Sequence, residues 1–127
     1  MIKGIGIDII EIDRIAKAID RKGGLFIERL FTRNEQPPAP DTTSETTAKY
    51  LATYYAGRFA AKEAVVKALG TGFRGITWLD IEILNDNLGK PCVTLSPEIA
   101  KRFDHPQLLI TISHCKSYAS AFCLWQS

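Results

Sequence analysis

The stretch AGRFAAKEAVVKALGTG, residues 56–72, lies at the centre of the longest helical pattern in the sequence. Ala, Leu, Lys and Glu favour a helix, no proline interrupts the pattern, and Gly70-Thr71-Gly72 is typical of a helix end. The pattern predicts one helix from about Ala48 to Leu69. It decides the fold, because small side chains surround its charges and let other elements approach it closely.

The flanking segments predict an α+β fold. Ile2 to Ile10 alternates isoleucines on one face with Gly4, Gly6 and Asp8 on the other, the period of a strand. We predict helices at Asp13–Lys22 and Leu25–Leu30, a capping-box turn at Thr32–Glu35, strands at 76–84 and Cys92–Leu95, a short helix from Ser96 to Phe103, and a hairpin of Leu108–His114 and Tyr118–Trp125. In the strand at 76–84, Leu79, Ile81 and Ile83 are expected to point inward. This order indicates a mainly antiparallel sheet packed around one long helix.

Composition limits the class of protein. With 127 residues, 46% apolar and 24% charged, we expect a single soluble domain over residues 1–127. No apolar run reaches the roughly 20 residues of a membrane-spanning helix, and the N-terminus does not resemble a signal peptide, so a cytoplasmic location is expected. Three cysteines without zinc-ligand spacing argue against a disulfide framework or a thiolate metal site, and a net charge of +2 argues against a nucleic-acid partner.

Charge is unevenly distributed along the first third of the chain. Six basic residues fall between Arg14 and Arg33 against two acidic ones, and Arg14, Lys17 and Arg21 fall within an arc of about 60° on the first helix. This stripe is either an ordinary solvated face or a docking surface for an acidic partner. The segment Glu35 to Thr47 is acidic and proline-rich, which predicts a loop.

Two carboxylates are hard to explain as surface residues. Asp8 lies within an apolar strand, where an unpaired charge would cost several kcal/mol, so it needs a cation or donors. Glu63 lies in mid-helix with Lys67 one turn later on the same face. The simpler interpretation of Glu63 and Lys67 is an exposed ion pair worth about 0.3–0.5 kcal/mol. The alternative is that two carboxylates hold Mg²⁺ on a substrate's phosphates while the lysine meets the phosphate charge.

Five sequence segments together resemble one known family, the holo-(acyl-carrier-protein) synthases, which are small 4'-phosphopantetheinyl transferases. The segments span nearly the whole chain, and their combination is far more specific than any one of them. They are GIGIDIIEIDRI (4–15), FTRNE (31–35), AGRFAAKEAVVKALGTG (56–72), DIEILNDNLGKP (80–91) and ITISHCKSYASAF (110–122).

The resemblance implies a function and a set of site residues. The family transfers 4'-phosphopantetheine from coenzyme A to a serine of apo acyl carrier protein in fatty acid biosynthesis, releasing adenosine 3',5'-bisphosphate. It implies that Asp8 and Glu63 bind magnesium, that Arg58, Lys67 and His114 surround coenzyme A, and that Glu63 and Lys67 are catalytic. Either Glu63 or a water held by the metal takes the serine proton. The family is a homotrimer with sites between subunits, which places His114 on the neighbour of the chain that supplies the carboxylates.

Other features support or qualify this hypothesis. The basic stripe suits an acidic carrier protein, and a chain that exposes Gly4 and Gly6 and ends in an apolar hairpin has more apolar strand surface than one helix covers, which favours a trimer. The chain departs from the family in the segment Gln36–Thr47, which lacks the basic residues that usually meet the adenosine phosphate, and at Cys115, where threonine is commoner.

The sequence is compatible with several alternatives. The chain is also compatible with a non-catalytic module that binds an acidic carrier protein, or with a regulator that holds coenzyme A without transferring it. His114 is alternatively a satisfied polar residue at a strand end, and Gly70-Thr71-Gly72 is either a helix end alone or also a border of the nucleotide site. A nucleophile formed by Cys115 and His114 is disfavoured, because adjacent strand residues point to opposite faces.

Overall fold

The computed structural model describes residues 1–37 and 45–127. Its elements in chain order are β1 (Ile2–Glu11), α1 (Ile12–Lys22), α2 (Gly24–Leu30), α3 (Glu45–Leu69), β2 (Ile81–Asn85), β3 (Pro91–Leu95), α4 (Pro97–Arg102), β4 (Gln107–His114) and β5 (Tyr118–Gln126). Single 3-10 turns cover Arg33–Glu35 and Trp78–Asp80. The predicted α+β fold, with antiparallel sheets and one long helix, is confirmed.

The long helix α3 forms the centre of the molecule. A three-stranded antiparallel sheet in the order β1-β5-β4 packs against it, and β2 and β3 form a separate antiparallel hairpin. Alanines on α3, including Ala60 and Ala64, are fully buried, so helix and sheet are in close contact. At the β2 side of the helix, Trp78 stacks on Phe59 and Phe73, with ring centroids 4.8 and 4.1 Å apart. None of the described helices is long and apolar enough to cross a membrane.

The face of β1 that carries glycines packs against α3. A Cβ atom added at Gly4 would lie 2.1 Å from the carbonyl oxygen of Ala68, and one at Gly6 would lie 2.1 Å from that of Ala64. Only glycine allows a strand to approach helix backbone this closely. The expectation that Gly4 and Gly6 are exposed is therefore wrong, because these residues form the contact between sheet and helix.

The opposite face of β1 is apolar and open. Ile5, Ile7 and Ile9 are 61%, 62% and 65% exposed. In the register of the sheet, Ile5 lies opposite Leu124 and Ile7 opposite Phe122 of β5, so these side chains share one face. The chain thus has a continuous apolar outer sheet face, which the described residues of a single chain leave uncovered.

The segment 76–84 differs from its prediction as one strand. Asp80 accepts hydrogen bonds from the backbone amide of Thr77 (2.8 Å) and from its hydroxyl (3.0 Å), and these bonds close a 3-10 turn. The strand therefore begins only at Ile81. Leu79, which was expected to be buried, is 47% exposed because it lies in this turn.

The segment that begins at Glu35 is also only partly as predicted. The capping box of Thr32 and Glu35 is confirmed, but Glu35 is fully buried and does not begin a solvated loop. Helix α3 begins at Glu45, so the end of the predicted loop Gln36–Thr47 is helical. Residues 38–44 lie outside the described part of the chain.

Candidate functional site

Asp8 and Lys67 meet at the contact between β1 and α3. Asp8 follows Gly6 on the inner face of β1, so the close approach of the strand brings its carboxylate to the helix. The Nζ atom of Lys67 lies 3.2 Å from Oδ1 of Asp8 and donates a hydrogen bond to the carbonyl oxygen of Ile7 at 2.8 Å. The side chain of Asp8 is only 16% exposed, and Lys67 supplies the partner that its burial requires.

Glu63 completes this group of charges. It lies one turn before Lys67 on the same side of α3 and is half-buried. Burial and the negative charge of Asp8 raise the pKa of Glu63, and the positive charge of Lys67 acts in the opposite direction. The ion pair within this group joins Lys67 to Asp8 rather than to Glu63. The structure therefore brings Asp8 to Glu63 and Lys67, which lie 55 and 59 residues later in the sequence.

The two carboxylates fit a magnesium ion that keeps other ligands. Among the residues described, no three His, Cys, Asp or Glu side chains cluster as an all-protein metal site would require. Mg²⁺ commonly takes one or two carboxylates and completes its shell with waters and substrate phosphates. Asp8 and Glu63 repel each other, and a divalent cation between them would relieve that repulsion. Two hard oxygen ligands beside a lysine are thus a suitable donor set for a metal-bound pyrophosphate.

Arg58 and His114 line a separate cleft of about 610 Å³ between α3 and the end of β4. Arg58 is almost fully buried, donates a hydrogen bond from Nη2 to Oδ1 of Asn85 at 3.1 Å, and stacks on the ring of Tyr54 at 4.1 Å. Its Nε atom is buried without a hydrogen-bond partner among the described residues. A buried guanidinium with an unpaired Nε–H donor is suited to an anionic ligand.

Lys49 and Tyr50 line the same cleft, and sequence reasoning did not single them out. Lys49 adds a cationic side chain to the cleft of Arg58 and His114, which the acidic Glu45 also lines. Tyr50 stacks on Tyr54 with ring centroids 6.4 Å apart, and Tyr54 donates a hydrogen bond from its hydroxyl to the carbonyl oxygen of Glu35. The sequence did contain a signal for this cleft: Tyr50, Tyr54 and Arg58 are spaced four residues apart, which places them on one helix face.

The cleft and the carboxylates lie on different sides of α3. Glu63 follows Arg58 by five residues, which is a rotation of about 140° around the helix axis and a rise of about 7.5 Å. The residues that line the cleft do not include Asp8, Glu63 or Lys67. A single chain therefore carries two separate groups of charged side chains, which we call the acidic half-site (Asp8, Glu63 and Lys67) and the basic half-site (Lys49, Arg58 and His114).

The basic stripe has the exposure that its sequence pattern predicts. Arg14, Lys17 and Arg21 are all exposed on α1, while Ile12 and Ile15 of the same helix are buried. Lys17 forms an exposed ion pair with Asp13 at 3.0 Å. Because α1 follows β1 without a gap, the stripe begins six residues after Asp8 in the chain.

The remaining candidates lie at the ends of α3 and β4. Gly70 ends α3 with a φ of 81°, and its amide donates to the carbonyl oxygen of Val66 at 3.0 Å, so the predicted helix end is confirmed. His114 is the last residue of β4 and Cys115 lies in the turn that follows. Since Cys115 lies outside the strand, strand geometry does not direct its side chain to the face opposite that of His114.

Comparisons with known proteins agree with the fold. A family model described as the 4'-phosphopantetheinyl transferase superfamily matches residues 4–123. The holo-[acyl-carrier-protein] synthase of Protochlamydia amoebophila (strain UWE25) is 56% identical over 128 residues, covering 100% of this chain and 100% of that protein. That of Alkaliphilus oremlandii (strain OhILAs) is 52% identical over 124 residues, covering 95% and 96%.

Two solved structures are similar along their whole length. The Bacillus anthracis holo-(acyl-carrier-protein) synthase in complex with CoA (3',5'-ADP) has a TM-score of 0.80 and 42% identity, covering 100% of this chain and 98% of that one. The Helicobacter pylori holo-[acyl-carrier-protein] synthase in complex with coenzyme A has a TM-score of 0.81 and 35% identity, covering 96% and 99%. The family resemblance noted from the sequence is confirmed.

Proposed function

Since this chain belongs to the 4'-phosphopantetheinyl transferase superfamily, we propose that it transfers 4'-phosphopantetheine from coenzyme A to a serine of apo acyl carrier protein, in the cytoplasm and for fatty acid biosynthesis. The observation that carries this proposal is the convergence of Asp8, Glu63 and Lys67, which the close contact of Gly6 with α3 makes possible. In the reaction, the serine hydroxyl oxygen forms a bond to the phosphorus that bears pantetheine. The bond from that phosphorus to adenosine 3',5'-bisphosphate breaks.

Asp8 and Glu63 would hold Mg²⁺, which, when bound, neutralises charge on the pyrophosphate. Lys67 contributes a second positive charge next to the reacting phosphate, and its bond to the carbonyl oxygen of Ile7 holds the ammonium there. Glu63 is our candidate for the group that accepts the proton of the serine hydroxyl. Burial and the negative charge of Asp8 raise the pKa of this carboxyl in the metal-free chain.

Arg58 and His114 would bind the adenosine bisphosphate part of coenzyme A. The buried guanidinium with its free Nε donor suits a phosphate, and Lys49 supplies a basic residue where the segment Gln36–Thr47 has none. Within one chain, the residues that line this cleft do not include Asp8. We therefore propose that the acidic half-site of one chain is completed by the basic half-site of the next.

Two features of the molecule support the homotrimer that the family resemblance implies. Because the two half-sites lie on different sides of the chain, joining them requires a head-to-tail contact between subunits. Repetition of this contact forms a closed ring when the rotation from one subunit to the next allows it. The outer sheet face around Ile5, Ile7 and Ile9 is apolar, and an apolar face of this extent is typical of a subunit interface. The stripe of Arg14, Lys17 and Arg21 stays exposed for the acidic carrier protein.

Intact mass spectrometry tests the proposed reaction. The purified chain is incubated with coenzyme A, Mg²⁺ and an apo acyl carrier protein, and the carrier is expected to gain the mass of one phosphopantetheine arm. Asp8→Asn and Glu63→Gln should each abolish this gain with an unchanged circular dichroism spectrum. Glu98→Gln, the same chemical change at an exposed position of α4, should leave it intact.

The outcomes separate the proposed enzyme from its two rivals. Carrier binding without a mass gain would indicate a non-catalytic module, and coenzyme A binding without transfer would indicate a regulator. Near-normal transfer by Glu63→Gln at low magnesium would contradict the two-carboxylate site.

Mixed oligomers test the shared site. An Asp8→Asn chain mixed with a His114→Ala chain should recover part of the activity, because some contacts then combine the intact half-site of each chain. No recovery in verified mixed trimers, or a monomer by sedimentation at assay concentration, would refute the sharing of the site.

A further inference from the structure

A fully buried ion pair lies outside both half-sites and has no role in the reaction as proposed. Glu35 and Lys62 are each 0% exposed, and Nζ of Lys62 lies 2.7 Å from Oε1 of Glu35. Lys62 immediately precedes Glu63 in α3, whereas Glu35 belongs to the 3-10 turn after α2. The pair therefore connects the helix that carries Glu63 to a different part of the fold.

The ammonium of Lys62 uses all three of its donors. Besides Glu35, it donates to the carbonyl oxygen of Leu30 at 2.6 Å and to that of Trp78 at 3.0 Å. The acceptors belong to three segments: the end of α2, the turn at 33–35 and the turn at 78–80. Lys62 thus fixes one face of α3 to three parts of the chain at once.

Glu35 is held as firmly as its partner. Its Oε1 atom accepts a hydrogen bond from the amide of Thr32 at 2.8 Å, and its Oε2 atom accepts one from the amide of Ile83 in β2 at 2.8 Å. A carboxylate with partners on both oxygens has one orientation, so Lys62 has a fixed rather than a mobile partner.

The geometry of α3 relates this pair to Glu63. Lys62 and Ala64 lie about 100° to either side of Glu63 around the helix axis. On the Ala64 side, Gly6 touches the helix backbone, and on the Lys62 side the ammonium is held by its three acceptors. Rotation of α3 about its axis would break one of these two contacts, and Glu63 lies midway between them.

We propose that Glu35 and Lys62 are positioning residues, which set the rotation of α3 and thereby aim the carboxylate of Glu63 at Asp8. This inference rests on the proposed function, because it assigns Glu63 a task in transfer. Stability alone is a weak explanation of the pair, since well-packed apolar residues often replace a buried ion pair without loss of stability. The hydrogen bonds that join three segments to one side chain are what apolar residues would not reproduce.

The test uses the double variant Glu35→Leu/Lys62→Met, which fills the same space without the hydrogen bonds. We expect it to fold, with a KM for coenzyme A within about twofold of that of the wild type, since the basic half-site is untouched. Its kcat should fall about tenfold, and the Mg²⁺ concentration for half-maximal binding, measured by calorimetry without substrate, should rise about tenfold. If this variant does not fold, Glu35→Asp is tested in its place, because aspartate keeps both charges and has a shorter side chain. The same fall in kcat and the same weakening of Mg²⁺ binding are expected.

A matched control separates misorientation from weaker folding. Ile99→Ala removes buried side chain in α4, a helix that carries none of the proposed site residues, and should lower the melting temperature without changing Mg²⁺ affinity. Wild-type Mg²⁺ affinity and kcat in the folded variant would overturn the positioning role and leave the proposed function standing. A wild-type chain that neither transfers phosphopantetheine nor binds Mg²⁺ would overturn the proposed function itself, and the inference with it.

Discussion

Replacing Gly6 with alanine should destabilise the protein and displace Asp8 from Glu63 and Lys67. The added Cβ would lie 2.1 Å from the carbonyl oxygen of Ala64, 2.7 Å from the amide nitrogen of Ala68 and 2.8 Å from Cβ of Lys67. Ordinary contact begins at 3.4 Å, so the strand and the helix must separate by about 1 Å. Two of the three obstacles are backbone atoms, so a change of side-chain rotamer does not relieve the clash.

The size of the effect follows from two opposing terms. Overpacking of this kind costs about 1–3 kcal/mol, and the rigid obstacle places Gly6→Ala near the upper end. Alanine also lowers the conformational entropy of the unfolded chain, which stabilises the folded state by only about 0.4–1 kcal/mol. For 127 residues, 1 kcal/mol corresponds to roughly 4 °C, so the melting temperature should fall by about 5–10 °C. Asp8 moves with the strand, and a shift of about 1 Å in a catalytic geometry can cost roughly 100-fold in rate.

The assay compares Gly6→Ala with Gly24→Ala at one protein concentration, because the apparent stability of an oligomer depends on concentration. Gly24 begins α2, and a Cβ there has nothing within 4 Å. Gly24→Ala should therefore keep full activity and a melting temperature equal to or slightly above that of the wild type. Equal melting temperatures and equal rates for Gly6→Ala and the wild type would refute the argument that close backbone contact positions Asp8.

Three further predictions concern the surface and the thiols. Arg14→Glu/Arg21→Glu should raise the KM for acyl carrier protein about tenfold at low salt and leave that for coenzyme A unchanged, as measured by initial rates; equal effects on both substrates would contradict the docking role of the stripe. Ile7→Glu should lower the oligomeric state in sedimentation velocity, because it places a charge on the apolar outer sheet face; an unchanged mass would exclude that face as the interface. Burial raises the pKa of Cys123 to about 12, so iodoacetamide should modify the exposed Cys92 and spare Cys123 in the native protein, and peptide mapping that finds native Cys123 alkylated would contradict this.

Local patterns in the sequence were sufficient for most elements. The helix through residues 56–72 was predicted because propensity, length and a glycine stop agree, and these are properties of neighbouring residues. The capping box at Thr32 and the hairpin that contains His114 are equally local. The sequence also indicated that Asp8 needs a cation, although it did not identify Lys67 as that cation.

The orientation of β1 was beyond such reasoning. An alternating strand normally turns its larger apolar side chains toward the core, but here Ile7 points outward and Gly6 inward. The choice depends on how closely α3 approaches and on what covers the outer face in an assembly. Neither quantity is encoded in the period of the strand itself.

Glu35 and Lys62 show the same limit for charged residues. Glu35 is flanked by polar residues, and Lys62 lies on a helix that carries other charged residues. Each residue alone is typical of a surface position. They are 27 residues apart, and only their pairing makes burial of either one acceptable. Tertiary contact, rather than local pattern, determines where such residues lie.

The position of Arg58 and Glu63 on different sides of α3 has a consequence for counting ligands. If every complete site combines the acidic side of one chain with the basic side of the next, an open row of chains leaves one acidic and one basic side unmatched at its ends. Such a row binds fewer coenzyme A molecules than it has chains. A closed ring leaves nothing unmatched and binds as many ligands as it has chains. The saturating stoichiometry of coenzyme A is thus a measure of whether the assembly is closed.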